Sequence, residues 1–165
     1  GVIPIPVDAS WSLYHGKFFP YNFSYPTTLS LLWFPNDPFD GVTVFWDDTN
    51  PVENIFFRVE NLTQLEGQAV YIKKPKIEYV QNWWKQYSSW WKGVRNIATM
   101  TNAQGLTGYR ASYVDAKGGS PFDQIFFEIP GKPELVIWIS GKLFTASVFD
   151  RIVDSVAWEK PTPAP

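Results

Sequence analysis

The sequence has no cysteine, one histidine and one methionine. Without a thiol the chain forms no disulfide, no thiolate metal site and no cysteine nucleophile. His15 is the only candidate imidazole for a Ser-His-Asp set, and no second histidine exists to complete a two-His metal site. Glycine-rich phosphate loops are missing too. Gly105-Leu106-Thr107-Gly108 has neither the six-position spacing nor the Lys-Ser/Thr ending, so no cofactor is expected. No apolar run approaches the ~20 residues that span a bilayer. Basic residues are not in excess: 14 stand against 16 acidic ones, for a net charge of −2. Lys73, Lys74 and Lys76 come close together but are split by Pro75, which reads as a solvated strand end. No nucleic-acid partner is expected without a basic stripe.

Aromatic residues are abundant. Phe, Tyr and Trp make up 18% of the 165 residues, including 9 Trp. Each buried ring removes a large apolar surface from water, so relatively few residues can build a core. The length suits one domain. Residues 1–16, with Pro4 and Pro6, read as an N-terminal linker or edge segment. Residues 17–158 read as a single domain. Residues 159–165 carry Pro161, Pro163 and Pro165 and read as a tail, since alternating prolines support neither helix nor ladder.

Within the domain, strand signals cover 18–26, 29–34, 42–46 and 54–61, with a short fifth at 69–73. In 54–61 the residues Ile55, Phe57 and Val59 share one face, while Phe56, Arg58 and Glu60 make a wetter one. After Pro75, a helix is predicted over 77–94: Ile77, Val80, Trp84, Tyr87, Trp91 and Val94 recur at three- and four-residue steps. Strands then follow at 97–101, 108–115, 123–129 and 134–140, separated by Gly- and Pro-bearing turns. A second helix is predicted over 146–157 with Thr145 as N-cap. Short turns favour antiparallel pairing, and amphipathic helices must cover a sheet. The fold class is therefore α+β, a layered domain whose helices cover a largely antiparallel sheet.

Three groups could carry chemistry. His15 sits in Tyr14-His15-Gly16, expected as a loop before the first strand. Asp37, Asp40, Asp47 and Asp48 lie close together, but Gly41 is misplaced for an EF-hand and no Glu closes the loop. No metal is expected, and the alternative function is a carboxylate-based hydrolase using this group. On the predicted helix, Trp84 and Trp91 belong to the core stripe. Tyr79, Trp83 and Trp90 form a second ridge on its flank. That ridge either stacks on a sugar ring or partner side chain, or pads the core. These three are the candidate binding residues.

Several stretches, taken in order, resemble one family. Tyr21-Asn22-Phe23-Ser24-Tyr25-Pro26 is similar to the "Y-x-F-x-Y-P" opening of PsbP-like proteins. The segment from Asp37-Pro38 to Val44-Phe45-Trp46-Asp47 is similar to "DP…V…F-x-D". Asn54 to Val59 resembles the "N-V-x-V-x-V" strand, Tyr109 to Tyr113 the "Y-x-x-x-Y" strand, and Phe149 to Val156 the closing helix "F-x-x-I-x-x-S-F". The resemblance implies a PsbP-like α/β/α sandwich, the largely antiparallel sheet sandwiched between helices. It also implies a non-catalytic extracytoplasmic accessory protein of the periplasm, cell surface or thylakoid lumen, such as an extrinsic subunit or assembly factor of photosystem II. The expected partner is a protein or a cell-envelope glycan, with a membrane tether in a segment preceding Gly1. The matched motifs are packing motifs, so no functional residue carries over from them.

Overall fold

The structure is a computed structural model that describes residue 5 and residues 8–46, 54–141 and 145–159. The chain runs β1 (Trp11–His15), β2 (Tyr21–Pro26), β3 (Ser30–Trp33), β4 (Val42–Phe45), β5 (Ile55–Asn61) and α1 (Lys76–Asn82). It continues through β6 (Trp91–Thr101), β7 (Thr107–Asp115), β8 (Asp123–Glu128), β9 (Leu135–Ser140), α2 (Ala146–Ser155) and β10 (Ala157–Trp158). Two sheets result: a small one ordered β1-β2-β10, and a seven-stranded one ordered β3-β4-β5-β9-β8-β7-β6. Every pairing is antiparallel, as hairpin-length turns require.

Period-two alternation decides what each face of the large sheet buries. Ile55, Phe57 and Val59 point to one side, with Phe57 opposite Ile139 and Val59 opposite Ile137. Ile125 and Phe127 of β8 extend this face through the same partners. The small sheet and α2 cover it, and Phe23 of β2 stacks on Phe57 with ring centroids 4.0 Å apart. Helix α2 buries Phe149, Ile152 and Val153 against this core. It starts where expected: the Thr145 hydroxyl oxygen accepts from the Val148 amide at 3.4 Å, satisfying one free donor of the first turn. Gly108 lets β7 approach β8, since a Cβ there would lie 1.8 Å from the Phe126 carbonyl oxygen.

The opposite face holds a second core, in which Tyr79, Val80 and Trp83 pack on Tyr113, Phe126 and Val136. Here the structure corrects the predicted helix. Helix α1 ends at Asn82, a 3-10 segment follows over Trp83–Tyr87, and β6 starts at Trp91. Ser88-Ser89 favours a turn over helix interior, and the Trp90 amide closes that turn on the Tyr87 carbonyl at 2.9 Å. Trp91 gains more as a strand residue opposite Asp115, where its ring meets Phe122 edge to face. Apolar residues at three- and four-residue steps thus serve a short helix and then a strand.

The sandwich between helices needs correcting as well. Helices are minor elements, and one sheet face is covered by a second sheet together with α2. Residues 69–73 do not form a strand. Ala69–Tyr71 is a 3-10 turn, and the buried Lys76 ammonium donates to the carbonyls of Tyr71, Ile72 and Lys74. Residues 11–15, within the segment expected as linker or edge, are an edge strand, and His15 ends that strand instead of sitting in a loop. The second helix stops two residues early because Ala157 and Trp158 pair with β2.

Candidate functional site

The shortness of α1 leaves part of the large sheet uncovered. Beside the 3-10 segment, at the end of the sheet where β5 and β8 start and β9 finishes, lies a cleft of about 680 Å³. Phe56, Trp138 and Gln124 form its floor, and Trp83, Trp90 and Trp91 rise on one side. The floor residues alternate out of β5, β9 and β8 on the face opposite the main core. Trp83 lies nearly parallel to Trp138 at 5.6 Å between centroids, and Phe56 meets Trp138 at 5.7 Å. The walls are therefore set by ring-on-ring packing before any ligand arrives.

Beneath the cleft sits Glu60, whose side chain has no exposed surface. Its Oε1 accepts from the Tyr79 hydroxyl at 2.8 Å and from the Trp83 indole at 2.9 Å. Its Oε2 accepts from Arg58 Nε at 2.9 Å and again from Nη2, which also donates to the Tyr87 hydroxyl at 2.6 Å. A buried carboxylate needs such compensation, because an unpaired charge away from water is costly. Burial pushes the Arg58 pKa down, but the charge of Glu60, with Tyr87, outweighs it and the net shift is upward. The guanidinium lies 5.2 Å from the Trp138 ring centroid, within cation–π range.

Two polar groups in the cleft are unspent. Arg58 Nη1 has no hydrogen-bond partner among the described residues, and neither does the Gln124 amide nitrogen. The orientation of Gln124 is fixed by chemistry. The Trp138 indole can only donate, and it donates to Gln124 Oε1 at 2.7 Å, so the amide NH₂ is the end turned away. Neither nitrogen is sealed from solvent, since among described side chains the buried atom without a partner is the Tyr14 hydroxyl. Asp115, on the same cleft, uses Oδ1 to accept from the Lys117 and Gly119 amides at 2.9 Å each, which leaves Oδ2.

The expected ridge of Tyr79, Trp83 and Trp90 does not form. Tyr79 is buried under the cleft, and Trp83, 3% exposed, is core with one edge on the cleft wall. Trp90 is 72% exposed and stands on the rim. The helical stripe is rotated from the expected one: Trp84 is only partly buried, its indole donating to the Gln81 carbonyl at 3.1 Å. Sequence reasoning missed Phe56, Arg58, Gln124 and Trp138. Bulky rings on the wetter face of β5 and β9 were the available signal.

The other candidates are occupied structurally. His15 Nδ1 pairs with Glu159 Oε1 at 2.9 Å on the surface. The buried Asp40, at a φ of 51°, accepts from the successive amides of Lys17, Phe18 and Phe19 at 3.1, 2.9 and 3.0 Å. Asp37 accepts from the Phe39 and Gly41 amides at 3.0 and 2.9 Å. Both carboxylates therefore hold loop backbone in place. Asp47 and Asp48 lie outside the described residues.

Burial gives the tyrosines a measurable signature. It is the leading cause that raises Tyr21, Tyr79 and Tyr113 far above the ordinary 10.0, and that pushes Tyr14 up to about 12. Below pH 10 these residues are protonated in folded and unfolded chains alike, so stability is intact. Above it, only the unfolded chain releases their protons, and stability falls as pH rises toward the folded pKa values. The expected alkaline titration shows their tyrosinate absorbance arriving in one step with loss of the near-ultraviolet dichroism. Independent ionisation near pH 10 with the fold intact would contradict this burial.

The elements together define a two-sheet, mostly antiparallel α+β protein with minor helices and an aromatic cleft at one end of its larger sheet. That fold is PsbP-like. The chain is similar to the solution structure of cyanobacterial PsbP (CyanoP) from Synechocystis sp. PCC 6803, with a TM-score of 0.56 over 96% of this chain and 98% of that one, at 14% identity. No family model and no curated protein matches the sequence. At that identity the likeness shows the fold alone.

Proposed function

We propose that this chain is a non-catalytic accessory or binding domain that works outside the cytoplasm and engages its partner, a protein or a surface glycan, through the aromatic cleft. The observation that carries the reading is the cleft itself: preformed ring walls with unspent donors between them, which is how small binding sites are built. The PsbP-like fold supports the accessory role. It likewise supports an extracytoplasmic location, and among the described residues no helix is long and apolar enough to cross a membrane.

The test is residue-resolved. An NMR titration of the labelled protein with a panel of neutral sugars, acidic sugars and short peptides should move amide and indole signals around Trp90, Trp138 and Gln124 for at least one class, with the ligand recovered unchanged. A panel that leaves those signals still, or a ligand that is turned over, defeats the reading. Fractionation of source cells with an antibody against the chain checks the compartment. A pool confined to the cytoplasm rules out that part.

A further inference from the structure

We propose that the cleft takes an uncharged saccharide, one or two rings long, stacked on its tryptophans. The inference rests on the reading above and names its ligand class. A sugar presents an apolar ring face and a rim of hydroxyls, and each hydroxyl both donates and accepts. The cleft matches both properties. Trp90 offers a largely exposed indole on the rim, and Trp138 and Phe56 lie below it. Arg58 Nη1 and the Gln124 amide supply donors, and Asp115 Oδ2 supplies an acceptor. The Gln124 amide keeps its N–H groups unspent and open to the cleft, so a sugar oxygen that reaches it takes the place of water there.

Charge selects among ligand classes. The positive charge of Arg58 is spent on Glu60, and Asp115 adds a negative one, so an acidic sugar finds no free cation and one repelling carboxylate. A cationic ligand meets the Arg58 guanidinium already placed over the Trp138 ring. A peptide that adds as a strand needs a free edge, and the floor strands β5, β9 and β8 are interior, with neighbours on both sides; a proline-rich peptide needs no such edge and is set against the sugars in the test. The cleft volume of about 680 Å³ suits a small ligand, since such sites span roughly 300–1,000 Å³.

The deciding experiment titrates the intact chain with glucose, galactose, N-acetylglucosamine, cellobiose and maltose, followed by tryptophan fluorescence and indole NMR. The same readouts are taken with glucuronic acid, choline and a proline-rich peptide. A neutral sugar should shift the Trp90 and Trp138 indole signals at millimolar concentrations and outcompete glucuronic acid. Trp90→Ala should weaken that binding roughly 10-fold, the loss of one stacking contact of ~1.4 kcal/mol, and Trp90→Phe should recover part of it. An unchanged melting temperature in both variants separates this loss from unfolding. If the peptide, choline or the acid moves the cleft and no neutral sugar does, the saccharide assignment fails while a binding cleft stands. If no ligand moves it, both fail.

Discussion

Glu60→Ala is expected to cost ~3–5 kcal/mol, the range for breaking a buried ion pair by removing one partner. For a chain of this size that lowers the melting temperature by roughly 6–20 °C. The reason is what remains. Arg58 keeps its charge in a half-buried position with only the Tyr87 hydroxyl as an acceptor, and the Tyr79 and Trp83 donors lose their shared oxygen. Removing both charges tells the pair apart from its parts. Arg58→Met combined with Glu60→Leu should recover more stability than the two single changes predict, because no unpaired charge is then buried. Calorimetry on the four proteins closes the cycle. A loss below about 1 kcal/mol for Glu60→Ala would place this pair with ordinary surface salt bridges and remove the argument that it holds the cleft floor.

The network also explains why the cleft keeps its shape without a ligand. Arg58 and Glu60 sit two residues apart on the same face of β5 and are joined side by side. Glu60 ties that strand to α1 through Tyr79 and to the 3-10 segment through Trp83. One carboxylate thus fixes a wall to the floor. Such sharing in a low-dielectric site makes each bond depend on the others.

Much of the fold was legible because period-two patterns survive in isolation. The alternation of Ile55, Phe57 and Val59 predicts β5 and its buried face, and the structure agrees; the other face is wetter at Phe56 and Arg58 but not at the buried Glu60. Thr145 likewise announces the start of α2 through its chemistry. The stretch from Ile77 to Val94 was misread for a physical reason. Aromatic residues at three- and four-residue steps satisfy a helical stripe, yet the chain gains more by seating Trp83 on Glu60 and Trp91 beside Phe122 than by continuing one helix. Tertiary burial overrode local spacing. Of the cleft, Trp83 and Trp90 were legible as aromatic candidates, but its floor was not, since Arg58, Gln124 and Trp138 are far apart in sequence. Only the pairing of β5 with β9 and of β9 with β8 brings them together. Glu60 is expected on the wetter face because strand periodicity states which side a residue faces, not what covers that side.

Trp83 and Trp90 provide the sharpest contrast between the helix that spacing suggests and the structure that forms. On one continuous helix the two residues lie seven apart, about two turns, and share a face. Truncating either should then have similar consequences. In the structure Trp83 packs against Tyr87, Tyr113, Phe126 and Trp138 and donates to Glu60, while Trp90 stands in solvent at the cleft rim. Trp83→Ala is therefore expected to cost ~3–5 kcal/mol, the usual loss for a buried aromatic ring plus its cavity. Glu60 Oε1 then keeps only the Tyr79 hydroxyl as donor, and the lost indole bond raises that cost further. Trp90→Ala should stay within ~0.5 kcal/mol of the parent. Urea unfolding of both variants gives the comparison directly, provided the slope with denaturant is unchanged, so that midpoint shifts report stability alone. Equal losses at the two positions would mean that the chain follows the helical spacing through Trp90. The cleft, which exists only because α1 stops at Asn82, would then be closed over by the rest of that helix.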